Sequence, residues 1–119
     1  MKDFRELLVW EKAHMLTRKV YHTTSTFPRE EMYGLTSQIR RACASVPTNI
    51  AEGCGRNSDA ELARFLEISM GSASELEYLL MLTRDLNLMN NPDYSELTSN
   101  VVEIKRMLAS FIKKLRAEG

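Results

Sequence analysis

The chain has 119 residues, 44% of them hydrophobic, which is enough for one domain with its own core and no covalent staples. Sixteen Lys and Arg balance sixteen Asp and Glu, so the overall basic excess of a dedicated nucleic-acid binder is missing and any contact with RNA or DNA must come from local patches. The charged start, Met1 to Lys12, offers no signal-peptide apolar region, and no run approaches the roughly 18 apolar residues of a membrane span, which leads us to expect a cytoplasmic protein with no membrane partner.

Only three prolines and five glycines punctuate the chain, no stretch alternates for long enough to make a strand, and four segments carry a helical apolar stripe. The expected fold is all-α. The first helix is placed from about Phe4 to Thr26, with Val9, Ala13, Leu16 and Val20 on one face and Trp10, His14, Thr17 and Tyr21 on the next. Phe27-Pro28 ends it, and Arg29 to Tyr33 reads either as a separate turn or as the first turn of the second helix.

The second helix starts near Gly34 or Leu35 and carries Leu35, Ile39, Ala42, Val46, Ile50 and Gly53 at steps of three and four, with Gly53-Cys54-Gly55 as its stop. This period runs straight through Pro47. A proline there removes the hydrogen bond to the Cys43 carbonyl, costs roughly 3 kcal/mol where nothing compensates and predicts a kink. On the same wheel Gln38, Arg41, Ser45, Asn49, Glu52 and Arg56 fall within about 80° of one another as a polar line. They read either as intrahelical pairs such as Glu52 with Arg56, or as a buried network in which Ser45 and Asn49 help satisfy the carbonyl that Pro47 strands. The remaining arc, Cys43, Ala44, Pro47, Ala51 and Cys54, is small or compact, and either packs within the bundle or lets a second subunit approach closely. Cys43 and Cys54 lie about three turns, roughly 16 Å, apart on one helix, too far for a mutual disulfide, and read as buried thiols in a reducing compartment.

Ser58-Asp-Ala-Glu61 is a capping-box pattern that opens a long third helix, running through Leu62, Phe65, Leu66, Ser69, Ala73, Leu76, Leu79, Leu80 and Thr83 to about Leu88, roughly 45 Å in length. Asn91 is then assigned as N-cap and Pro92 as first residue of the fourth helix. There Leu97, Val101, Ile104, Leu108, Phe111 and Leu115 alternate in steps of four and three, the spacing of left-handed bundle packing. Four helices joined by short loops favour an antiparallel up-down-up-down four-helix bundle occupying residues 1–119.

Val9-Trp-Glu-Lys-Ala13, Phe27-Pro-Arg-Glu-Glu-Met-Tyr-Gly-Leu-Thr36, Gln38-Ile-Arg-Arg-Ala42, Ser45-Val-Pro-Thr-Asn-Ile-Ala-Glu-Gly53 and Phe65-Leu-Glu-Ile-Ser-Met-Gly-Ser72 with Glu75-Leu76 span nearly the whole chain. In these segments the sequence resembles the bacterial 23S rRNA-intervening-sequence proteins. The resemblance implies a four-helix bundle assembling into a homopentameric ring, with no known catalytic activity. That family is also similar to the accessory protein of diversity-generating retroelements, a pentamer that binds nucleic acid and a reverse transcriptase; that relative is markedly basic, whereas this chain is neutral.

Catalytic chemistry finds little support. Glu11-Lys-Ala-His14 has the Glu-x-x-His spacing of bundle metal sites, but Glu11 falls opposite the core stripe and no second such motif exists. Arg18 and His22 miss the Arg-to-His spacing of a helical toxin ribonuclease, and no phosphate loop, nucleophile elbow or Cys-x-x-Cys occurs. No enzyme activity, cofactor or metal is expected.

Residues 58–91 hold two basic and six acidic side chains, residues 104–119 five basic and one acidic. Lys105, Arg106, Lys113, Lys114 and Arg116, with Arg40 and Arg41, are the candidate phosphate contacts, unless they only complement a helix C-terminus on a solvated face. No exposed aromatics are expected to interleave with them. Gln38, Arg41, Cys43, Ser45, Pro47, Asn49, Ala51, Glu52 and Gly53 are the candidate assembly and structural residues. The leading expectation is a non-enzymatic homo-oligomeric scaffold engaging RNA, DNA or a nucleic-acid-processing protein. A protein–protein adaptor without nucleic-acid affinity is the alternative, and a metal-dependent bundle enzyme the third.

Overall fold

Asp3 decides where the chain first turns. In the computed structural model, which describes residues 2–118, the Asp3 carboxylate accepts the Arg5 backbone N–H at 3.0 Å and its guanidinium Nε at 2.9 Å. This closes a short 3-10 turn over Phe4–Glu6, Leu7 is extended, and α1 spans Leu8–Thr24 rather than beginning at Phe4. Its end also comes earlier than the apolar pattern suggested. The Thr24 hydroxyl donates to the Val20 carbonyl at 2.8 Å and the Ser25 hydroxyl to the His22 carbonyl at 2.6 Å, local bonds that compete with continuation of the helix. Arg29–Glu31 forms a separate 3-10 turn, not the first turn of the next helix.

Helix α2, Leu35–Cys54, runs unbroken through Pro47. The carbonyl of Cys43, left without its usual N–H, lies 3.5 Å from the hydroxyl of Thr17 on α1. Ser45 and Asn49, expected to serve it, are engaged elsewhere: the Asn49 amide donates to the Ser45 carbonyl and hydroxyl, each at 2.9 Å.

Helix α3 spans Asp59–Asp85. The Ser58 hydroxyl accepts the Glu61 N–H at 3.1 Å, as the capping pattern requires, but the Glu61 carboxylate turns outward to Arg64 at 3.1 Å and does not close the box. The helix stops before Leu88 because Asn87 enters the left-handed region (φ 62°). The Leu88 N–H then reaches the Thr83 carbonyl and the Asn87 N–H that of Arg84, a Schellman ending with Asn where Gly is commonest. Helix α4 covers Asn91–Glu118. Its cap is Asn90, whose side-chain oxygen accepts the Asp93 N–H at 2.8 Å; the assignment to Asn91 was one residue late, and Pro92 sits at the second helical position, where its missing N–H is equally harmless.

Cross-helix contacts fix direction and register. Thr17 meets Cys43 and Thr24 meets Arg40; Ser69 meets Val46 and Leu62 meets Gly53; Lys105 meets Glu77 and Arg116 meets Glu67; Lys12 meets Glu103 and Lys19 meets Glu96. In each set residue numbers rise along one helix as they fall along the other, so every neighbouring pair is antiparallel. Each helix packs only on its two neighbours, most extensively α2 on α3 and least α1 on α4. The bundle measures 45 × 22 × 20 Å.

The core stripes read from the sequence are buried on all four helices, apart from Phe111, which is half-buried. One apolar cluster runs through the middle, from Val9 and Val20 on α1 to Leu97 and Leu108 on α4. Between α2 and α3 the packing is tightest. Gly53 lies against Leu62 and Phe65, and the buried Ser69 hydroxyl donates to the Val46 carbonyl at 2.9 Å.

Candidate assembly and interaction surfaces

Three faces of α2 have three different fates. The stripe Leu35, Ile39, Ala42, Val46, Ile50 and Gly53 is buried in the core. Of the polar line, Ser45 and Asn49 are half-buried at the α3 seam, where the Ser45 and Ser72 hydroxyls share a hydrogen bond of 2.8 Å. Of the rest of the line, Gln38, Arg41, Glu52 and Arg56 are all exposed. The Glu52–Arg56 pair does not form; the Arg56 guanidinium sits 4.8 Å above the Phe65 ring.

The compact arc divides. Cys43, Pro47 and Cys54 are buried within the chain itself, so for them packing inside the bundle is the correct reading. Burial pushes the Cys43 thiol up to about 11, with a smaller opposing effect of the Thr17 hydroxyl, which accepts its hydrogen bond at 3.6 Å; Cys43 is therefore held as an unreactive thiol. Burial also raises the Cys54 thiol and outweighs the smaller opposing effect of the Lys2 charge. Both cysteines are free.

Ala44 and Ala51 stay half-buried and Thr48 exposed, and these three small side chains floor two adjoining hollows. One hollow, about 580 Å³, is walled by Phe4, Trp10 and His14. Trp10 stacks on His14 with ring centroids 4.9 Å apart and meets Phe4 edge-on at the same distance. The other, about 650 Å³, is walled by Tyr21, Met32, Tyr33, Arg40 and Arg41. Tyr33 is 94% exposed and Met32 is also open to solvent. The 3-10 turn over Arg29–Glu31 is what carries this pair to the rim.

Two arginines and two tyrosines thus meet on one surface, against the expectation that no exposed aromatics accompany the cations. Arg40 is largely committed to the fold: its Nε donates to the Thr24 hydroxyl at 2.9 Å, and its guanidinium lies 4.7 Å above the Tyr21 ring. Arg41 is exposed, with a long 3.4 Å contact to the Ser37 hydroxyl.

The cations of α4 do not form one patch. Lys105 is paired with Glu77 at 2.8 Å and Arg116 with Glu67, so two of the five are answered by α3 carboxylates. Two ion pairs thus join the acidic third helix to the basic fourth across one seam. Arg106, Lys113 and Lys114 have no ion-pair partner among the described residues. Not singled out as site residues from the sequence were Tyr21, Met32 and Tyr33; the Met-Tyr-Gly run after a turn is the signal for the last two, and for Tyr21 its place on the α1 face shared with Trp10, His14 and Thr17. Among the described residues no three His, Cys, Asp or Glu side chains gather as a metal site, and no helix is long and apolar enough to cross a membrane.

No curated protein matches the chain. Among solved structures it is similar to a protein of unknown function from the S23 ribosomal protein family of Bacteroides thetaiotaomicron VPI-5482. The two share a TM-score of 0.81 and 25% identity over 89% of this chain and 99% of that one. The family model for the 23S rRNA-intervening sequence protein matches residues 5–110. With that match over most of its length and the shared four-helix fold, the chain belongs to the 23S rRNA-intervening sequence protein family.

Proposed function

We propose that this protein is a non-enzymatic cytoplasmic scaffold that assembles into a homopentameric ring through the outward face of α2 and its flanks. The observation that carries the reading is the pair of adjoining hollows floored by Ala44, Thr48 and Ala51. Small side chains on the floor let a second backbone come close, while Trp10, Tyr21, Tyr33 and Met32 on the walls offer the aromatic and Met surface in which protein interfaces are enriched. An isolated chain gains nothing by holding Tyr33 and Met32 in water beside such a floor. Two free, buried thiols agree with a reducing, cytoplasmic setting.

On this reading the assembled ring engages RNA, DNA or a nucleic-acid-processing protein through cations repeated around it, where multivalency compensates for a small number of contacts per chain. Arg41, Arg106, Lys113 and Lys114 are the four candidates not already held in the fold. The neutral net charge and the pairing of Lys105 and Arg116 favour the second reading, an adaptor that binds protein alone.

Filter binding of labelled single-stranded RNA at several salt concentrations separates the two. Four phosphate contacts per chain predict a slope of about −3 in log K against log salt, a loss of roughly 50-fold between 50 and 200 mM. No retention of RNA at 50 mM salt would remove the nucleic-acid component of the proposal and leave the adaptor.

A further inference from the structure

The seam between α1 and α4 is the most open in the bundle, and it is lined by apolar side chains that no neighbouring helix covers. At one end Leu7, Leu8 and Val9 face Met107 and Phe111 across a hollow of about 410 Å³, with Lys114 on its edge. Leu8 is 57% exposed although it opens a helix and sits beside half-buried Met107 and Phe111. The hollow continues past Leu8 into a second of about 290 Å³, where Met15 is 42% exposed.

Among the described residues, ion pairs bridge the seam only beyond that point, Lys12 with Glu103 at 3.3 Å and Lys19 with Glu96 at 3.8 Å. The end around Leu8 and Phe111 is unbridged. Its free charges are mostly positive: Lys114 on the edge, and Arg106 and Lys113 on the outward face of the same two turns of α4, none with an ion-pair partner among the described residues. Glu6 and Glu11 are the carboxylates of the α1 flank, and neither pairs with these cations. The stretch of α4 from Met107 to Lys114 is about 10 Å long, two helical turns.

From this juxtaposition we infer that the α1–α4 seam is a docking groove for a short acidic amphipathic helix of a partner protein. Two apolar anchors one turn apart enter the hollow beside Leu8 and Phe111, and carboxylates on the flanks of that helix meet Lys114, Lys113 and Arg106. This is helix-in-groove recognition, with area supplying affinity and charge selecting the partner. The groove is separate from the α2 face, so the inference stands or falls independently of ring assembly.

The test uses the full-length protein and a fluorescent 15-residue helical peptide bearing Leu and Phe one turn apart and Asp or Glu on its flanks. A second peptide carries Lys in place of every acid. Anisotropy titration is expected to show saturable binding of the acidic peptide, at least tenfold weaker for the basic one. Leu8→Glu is expected to weaken the acidic peptide at least tenfold, and Lys114→Glu about threefold or more with loss of most of the salt dependence. Because Leu8 and Lys114 are exposed, circular dichroism and the molar mass in solution are expected to stay unchanged in both variants. Equal binding of both peptides, no binding at all, or full binding by the Leu8→Glu protein would overturn the inference. So would a lower molar mass of the Leu8→Glu protein, which would assign the groove to a second copy of the chain. Cosedimentation with phosphatidylglycerol vesicles in place of peptide binding would likewise overturn it.

Discussion

Replacing Gly53 with Ala is expected to destabilise the bundle by about 1–2 kcal/mol, even though Ala is the better helix former. A Cβ at this position would lie 2.8 Å from Leu62 Cδ1 and 2.9 Å from Phe65 Cβ. The Leu62 methyl can swing away; the Phe65 Cβ is tied to its backbone, so α2 and α3 must separate. Overpacking of this kind costs about 1–3 kcal/mol. Helix propensity returns up to about 1 kcal/mol, less here because Gly53 is one residue from the helix end. For a chain of this size the loss corresponds to about 4–8 °C in Tm. Gly71 is the internal control. A Cβ there meets nothing within 4 Å, so Gly71→Ala should raise stability by up to about 1 kcal/mol. Urea titrations of both variants, with the slope m unchanged, check the pair. Equal effects of the same sign would show that the α2–α3 distance is not set by Gly53.

The Thr48→Arg protein is expected to fold as the wild type does and to fail to assemble. Thr48 is exposed on α2 and borders both hollows. An exposed helical substitution of this kind changes folding stability by about 0.5 kcal/mol or less. On the proposed interface the same side chain places a long cation on the floor, where a neighbouring backbone is to approach, and a buried unpaired charge costs several kcal/mol. The expected result is a thermal unfolding midpoint close to wild type with a molar mass reduced to that of a single chain. A variant that keeps the wild-type assembly would move the contact surface off this face of α2.

Helix identities and core stripes were legible because each depends on a period that the residues of one segment carry by themselves. The stripe from Leu35 to Gly53 kept its register across Pro47, and its burial follows from that register alone. Boundaries were less legible, because single side chains decide them: the Asp3 carboxylate delayed α1 to Leu8, and Asn90 captured the cap assigned to Asn91. The partner of the Cys43 carbonyl could not be read from α2, since the hydroxyl beside it belongs to Thr17, 26 residues earlier.

Surfaces were read least well. A helical wheel says which residues share a face but not which neighbouring segment covers it. Cys43, Pro47 and Cys54 therefore looked like the same kind of surface as Ala44 and Ala51, though the folded chain buries the first three. The basic run at the C-terminal end looked like a patch until the antiparallel register placed Glu67 and Glu77 opposite Arg116 and Lys105. Tyr21 and Tyr33 met Arg40 and Arg41 only because a turn folds the chain between the first two helices back on itself.

Native mass spectrometry of the protein drawn gently from its host tests ring assembly most directly, because one spectrum reports the number of chains and anything they retain. A principal species of five chains, falling to one in the Thr48→Arg variant, is the expected result. A wild-type protein that remains a single chain at micromolar concentration would contradict it.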